Sequence, residues 1–491
     1  MKILLVLLLF LYFNINGYLK AQHTFEKVIS EPEDQIINSS IEDNDGNYIM
    51  AGRIKDIESN LYNGYIIKID STGSLLQEET ISPNDSISSM FFNIHLFDNQ
   101  YYILGSQMVV NPDTSKLWFL KLNYNLGIED EKILNIPIGR WFSYMNSIID
   151  SDTNIVITGY TTRIDETNNY NNDAFLYKLD LDGDSMNSKF YTSLVPWHFS
   201  FDIIEKIDSS GYYAFVSHFT NTFGTSGQRL VLDKNLDSLS IDSIPKQVYD
   251  YYSPVYINQS DILICGKRGA EPPNDYALNV LSITDNGQLI DYNTFKKNTF
   301  REQPSRYKGI SKKGNCIYLG GSSNHDYSNP FWSTLDSWFH LIKINPDITP
   351  IWEYWYGGDA YYFLYSILAT NDGGCIMVGN RYDYETQNQE RDIYIVKVNS
   401  DGLIVWTQEI SIDKQVTEVY PNPGTNQLII KTDNKKLDFE LININGQVVI
   451  RQILDENQSP INTESLKSGM YFYRLIDKKN KTIETGKWIK K

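Results

Sequence analysis

The chain has 491 residues, 43 of them basic and 61 acidic, giving a net charge of −18 at pH 7. Within residues 22–412 there are 28 basic and 51 acidic side chains, a net −23; such a surface repels phosphate backbones and anionic bilayers, which argues against both as partners. Three cysteines, Cys265, Cys316 and Cys375, are too few for a disulfide framework and read as small buried hydrophobes in or beside predicted strands.

The N-terminus is Met1-Lys2 followed by an apolar run at 3–13. One basic residue and a run of this length fit a secretory signal peptide, assigned to 1–21 with cleavage after Ala21 (or after Gly17), and are too short to span a bilayer. No later apolar run is long enough for a transmembrane helix. An exported, extracellular or surface-located protein is expected.

From residue 22 to 412 the chain repeats. A glycine closes a short apolar strand at Gly52, Gly105, Gly159, Gly266, Gly320 and Gly379, with Ser217 in the remaining slot. The six intervals span 327 residues, a period of about 54. The following strand carries a lysine in five copies, at Lys68, Lys121, Lys178, Lys343 and Lys397; Leu232 and Ser282 replace it in the other two. Each unit has room for four strands, A to D, rich in Ile, Val, Tyr, Phe and Leu and bounded by Gly, Asn and Asp. In the last unit these are expected at 365–370, 374–379, 393–399 and 403–410. Radially repeated four-stranded units predict an all-β fold, a seven-bladed β-propeller over 22–412. A strand at 24–29 is available to close the ring, although the copy number does not demand it.

The A–B and C–D connections are tight Asp-Gly and Asn-Gly turns, such as Asn371-Asp372-Gly373 and Asp182-Gly183-Asp184. B–C and D–A connections are long and fall on the opposite face, where variable loops over a rigid scaffold concentrate binding residues. These loops are aromatic, and the candidate ligand contacts are Trp141, Trp197, His198, Tyr251, Tyr252, Trp332, Asp359 and Tyr361. Rings beside carboxylates suit a neutral glycan or a peptide; packing beneath the loops is the competing reading. Trp352 and Trp406, at matching D-strand positions, read as interblade packing.

No catalytic motif is present. The six histidines, His23, His95, His198, His218, His325 and His340, lack metal-ligand spacing, and no nucleophile elbow, Walker loop or Cys-x-x-Cys occurs. Asp180-Leu181-Asp182-Gly183-Asp184 has the flavour of a calcium loop but lacks the distal bidentate Glu, so calcium is a weak cofactor candidate and no metal ligands are assigned. Convergence of carboxylates such as Asp250 and Asp359 at the ring's mouth would instead favour a polymer-degrading hydrolase or lyase. A featureless polar face would favour a structural or adhesive role.

After residue 412 the repeat stops, and 416–491 reads as six or seven short strands forming a small antiparallel, Ig-like β-sandwich with a basic tail. Val419-Tyr420-Pro421-Asn422-Pro423, then Leu441-Ile442-Asn443-Ile444-Asn445-Gly446-Gln447, then Leu466-Lys467-Ser468-Gly469-Met470-Tyr471, and the lysine-rich end from Lys487, resemble the type A C-terminal sorting domain of the type IX secretion system of Bacteroidetes. The resemblance implies a sandwich that engages the type IX secretion machinery and guides its cargo across the outer membrane. It assigns the sorting motif to Pro421, Asn422, Pro423, Gly446, Gly469, Tyr471 and Lys487.

Overall fold

A computed structural model describes residues 23–82, 87–110, 113–135, 141–164, 170–191, 197–220, 224–245, 248, 250–267, 276–297, 299–386, 390–405, 417–432, 437–443, 448–454, 457–476 and 482–491. The chain divides into two compact units, Met1–Trp406 and Thr407–Lys491. Among the described residues the regular elements are strands, and no helix is long and apolar enough to cross a membrane.

Unit one is a succession of antiparallel sheets in chain order. They occupy residues 35–81, 87–134, 141–191, 197–243, 250–295 and 302–357, and a last sheet is built on 361–398. The third and fourth are bridged by one parallel pairing, Asn172 with Trp197. Each hydrophobic core is shared by two consecutive sheets. Ile49 and Ile66 meet Phe91 and Trp118; Phe119 meets Phe175; Leu176 meets Leu230; Phe215 meets Ile264; Val280 meets Leu319; Phe339 meets Leu364 and Tyr394. The cycle then closes, because Ile376 and Ile395 of the last sheet pack with Tyr48 and Ile67 of the first. Sheets packed face to face in a closed cycle make a β-propeller.

The last sheet departs from expectation. Its outermost strand is the N-terminal Phe25–Ile29, paired antiparallel with Asp392–Val398 from Phe25 opposite Lys397 to Ile29 opposite Ile393. Leu403–Val405, predicted to begin the D strand, forms no strand; Val405 instead exchanges two hydrogen bonds with the Thr24 hydroxyl, at 2.7 and 2.8 Å. The rest of that predicted strand, with Trp406, lies outside the described residues.

The repeat's two signatures have physical causes. In the innermost strands an extra residue bulges between Ile37 and Ser39, Phe91 and Asn93, Tyr144 and Asn146, and Leu364 and Ser366. The marker glycine sits directly opposite, where a Cβ on Gly52, Gly105 or Gly379 would lie 1.8, 2.3 or 2.1 Å from a carbonyl oxygen of the bulged strand. The lysine ties the ring together. Lys68, Lys178 and Lys397 pair with Asp43, Asp150 and Asp372 in their own A–B turns at 3.1, 3.1 and 2.8 Å. Tyr101 and Tyr212 from the next sheet donate to Asp43 and Asp150. Lys121 and Lys343 reach across instead, to Asp182 and to the Ser400 carbonyl.

Unit two has a three-stranded sheet (Thr417–Tyr420, Gln427–Thr432, Gln458–Asn462) and a four-stranded sheet (Leu437–Asn443, Val448–Leu454, Gly469–Ile476, Thr482–Lys490). Leu428, Ile430 and Ile461 from the first share a core with Phe439, Leu475 and Trp488 from the second. Strand Gln458–Asn462 was not anticipated, because five residues around Pro460 carry little pattern. The three cysteines are free.

Candidate functional site

The bulges create the axial site. Each turns a polar side chain toward the ring's centre: Ser39, Asn93, Asn146 and Asp202, with Ser253 and Ser366 on later sheets. These side chains are wired in one direction. Ser39 Oγ donates to Asn93 Oδ1 (2.9 Å), Asn93 Nδ2 to Asn146 Oδ1 (2.6 Å), and Asn146 Nδ2 to Asp202 Oδ1 (2.7 Å). Each acceptor oxygen also takes the next backbone N–H, from Ile94, Ser147 and Ile203, which locks its rotamer. Asp202 ends the chain. Burial pushes its carboxyl up to about 8, against the opposing pull of the Ile203 N–H and the charge of Lys308.

Below this ring lies a cavity of 210 Å³. Its walls run toward the A–B ends of the inner strands through Ile41, His95, Ile148, Ile204 and Leu368. His95 Nε2 lies 2.6 Å from Ser147 Oγ, and burial, helped by Lys308, pushes its imidazole down to about 4, leaving it neutral. On the other side, Phe92 and Tyr307 meet edge to face at 6.2 Å.

Above that contact is an aromatic mouth. Phe363 and Tyr365 pack with Ile36, and Tyr307 and Phe331 lie against them. The Arg306 guanidinium lies 5.7 Å from the Tyr307 ring and 5.8 Å from Phe331. Arg391 lies 4.5 Å over the half-buried Trp332 and forks onto Asp34 at 2.7 and 2.6 Å. Asp34 thereby fixes where the loop carrying Phe331 and Trp332 can rest.

The predicted contacts distribute unevenly. Trp141, Trp197, His198, Tyr251 and Tyr252 are not loop residues: Trp141–Ile149, Trp197–Glu205 and Asp250–Tyr256 are innermost strands, so the apolar run begins earlier than the loop reading allowed. Their side chains, like that of Asp250, lie outside the described residues. Trp332 sits at the mouth, edge-on to Tyr382 at 5.1 Å. Asp359 is exposed and accepts from Tyr362 Oη at 2.5 Å. Tyr361 is buried and bonded to His325 Nδ1 at 2.9 Å, which places it in the packing. Trp352 packs between sheets as expected, its Nε1 donating to the Ser400 carbonyl.

Sequence reasoning missed the axial residues, because single Asn, Ser and Asp side chains in the middle of an apolar strand look like solvent-facing alternation. It also missed Phe331's partners Arg306 and Arg391. The Asp-rich turn is committed to other bonds. Asp180 Oδ1 caps the N–H groups of Asp182 and Asp184, which pair with Lys121 and Lys132. Among the described residues no group of three or more His, Cys, Asp or Glu side chains is placed to hold a metal.

In unit two, Pro421-Asn422-Pro423 clips onto the final strand: Trp488 Nε1 donates to the Pro421 carbonyl (2.8 Å), Asn422 Nδ2 to the Lys487 carbonyl (2.8 Å), and the Ile489 N–H to Asn422 Oδ1 (3.0 Å). Gly469 opens strand Gly469–Ile476, Tyr471 is buried with its hydroxyl on the Lys467 carbonyl, and Lys487 is exposed. Gly446 lies outside the described residues.

No curated protein matches the chain in sequence. Among solved structures it is similar to a fungal alcohol oxidase of the AA5 family in complex with copper (10% identity, TM-score 0.43, covering 95% of this chain and 99% of that one). It is also similar to the β-propeller domain of the trilobed protease from Pyrococcus furiosus (9%, 0.44, 80% and 100%) and to phage phi92 endosialidase (10%, 0.43, 95% and 87%). None of these bears on chemistry. Residues 418–491, by contrast, match the secretion system C-terminal sorting domain family, and the chain is a type IX-sorted secreted protein with a β-propeller body.

Proposed function

We propose that the chain is an exported binding module, a ring of seven blades that takes an extracellular glycan or peptide at its long-loop mouth. Residues 1–21 serve as the Sec signal peptide, and 416–491 form an Ig-like sandwich read by the type IX machinery. The observation that carries the reading is the mouth itself: half-buried Tyr307, Phe331 and Trp332 backed by the guanidinium groups of Arg306 and Arg391. Rings supply faces to stack on, and Arg306 supplies donors for hydroxyl or carbonyl oxygens. Trp141, Trp197, His198, Tyr251 and Tyr252, at or near the starts of inner strands at this same end of the ring, are retained as candidate contacts.

A glycan- and peptide-array screen of the mature full-length chain tests the proposal. Reproducible binding, reduced at least tenfold by Phe331→Ala with the Tm lowered by only a few degrees, is the expected result; silence across the arrays would remove it. A second reading, a hydrolase working through the axis, is favoured by one observation, the raised carboxyl of Asp202. It predicts turnover of a polymer substrate that Asp202→Asn abolishes.

A further inference from the structure

The axial cavity differs in character from the mouth above it. The protein carries −18, yet the cavity's lining contains one carboxylate, Asp202, alongside Lys308 and His95. That carboxylate is already engaged by Asn146 Nδ2, the Ile203 N–H and Ser253. Lys308 is held in place through its backbone, which bridges Ser366 and accepts the Ile367 N–H at 3.2 Å. Its ammonium interacts with Asp202 only through charge, and no described residue accepts a hydrogen bond from it. Lys308 is half-buried, so its ammonium is left to the open space of the cavity rather than to a protein acceptor. Burial depresses Lys308, and the charge of Asp202 only partly opposes this.

Hydroxyls stand around the same space: Ser39, Ser40, Ser147, Ser253 and Ser366 all line it. Phe92 and Tyr307 line its mouth side, edge to face.

We propose that this cavity is an anion site for a small free carboxylate, with Lys308 Nζ as its charged donor and the axial serines as its neutral ones. The bound anion supplies the countercharge that the ring withholds from Lys308. The site's volume of 210 Å³ is ample for a small free carboxylate.

Sodium acetate titrated into the mature full-length chain tests this, with Tm as readout and sodium chloride at equal ionic strength as reference. A ligand that binds only the folded state raises Tm in proportion to occupancy. Expected is a saturable rise with acetate and none with chloride, weakened at least tenfold in apparent affinity by Lys308→Met and severalfold by Ser147→Ala. Line broadening of 13C-acetate gives the same answer for the wild-type chain without any variant, should Lys308→Met fail to fold. No acetate-specific rise, no broadening, or a rise unchanged in Lys308→Met would each overturn the proposal. Mouth binding on the arrays should be the same in Lys308→Met, which separates this site from the one above it.

Discussion

His340 is held toward its charged form in the middle of the sixth sheet. It has no solvent exposure, yet its Nδ1 lies 3.0 Å from Glu302 and its Nε2 2.7 Å from Glu353, with Trp355 stacked on the ring at 4.8 Å. Glu302 is itself satisfied by Ser323 Oγ and the Lys297 N–H, and the Lys297 ammonium lies 4.8 Å over Trp355. Burial alone would neutralise the imidazole; the hydrogen bonds to the two carboxylates overcome it, and the pKa is raised. A raised folded pKa stabilises fully below the ordinary histidine value and is lost as pH climbs through the folded one. The urea midpoint should therefore fall as pH rises above about 6.5, the ordinary histidine pKa. His340→Gln should lower stability by about 3–5 kcal/mol, the cost of stranding a buried charge, and should remove this pH dependence. A midpoint with the same pH profile in both proteins would show that His340 is neutral. None of this was legible in the sequence: His340 and Glu302 are 38 residues apart, joined only by the pairing of separate strands.

At the scale of elements, the repeat was legible and the closure of the ring was not. Gly, Lys and Asp-Gly recur because each unit meets the same steric and electrostatic demands, so period and strand order could be read directly. Whether 24–29 or 403–410 supplies the last sheet's fourth strand depends on a contest between segments more than 370 residues apart, both apolar and both strand-forming. Phe25 shows how the contest was won. It packs against Tyr48 of the first sheet at 6.4 Å, and its strand pairs with the last, so one side chain joins both ends of the ring. Phe25→Ala should cost about 3–5 kcal/mol, as for other buried aromatics, read as a drop in the urea midpoint. A loss below about 1 kcal/mol, the size expected of a surface change, would mean that the closing strand adds little to the ring.

At the scale of the whole molecule, charge and family divide the labour. Residues 22–412 hold 51 acidic against 28 basic side chains, whereas 413–491 hold 10 against 13. The sorting module was the most legible part of the chain, because its turn residues and terminal lysines occur at fixed spacing and Pro421-Asn422-Pro423 is used locally, clipped to the strand that ends in those lysines. The binding reading was less so: the mouth rests on Arg306, Tyr307, Phe331 and Arg391, drawn from separate loops and sheets, and no linear spacing announces such a set. Deleting 416–491 separates address from cargo. The propeller's cores all fall within Met1–Trp406, so the truncated chain should fold, keep its melting temperature to within a few degrees, and accumulate in the periplasm. Protease added to intact cells should then spare the truncated chain while digesting or releasing the full-length one. Normal surface delivery of the truncated chain would mean that the address lies in the propeller; loss of the folded chain altogether would mean that unit two also supports the ring.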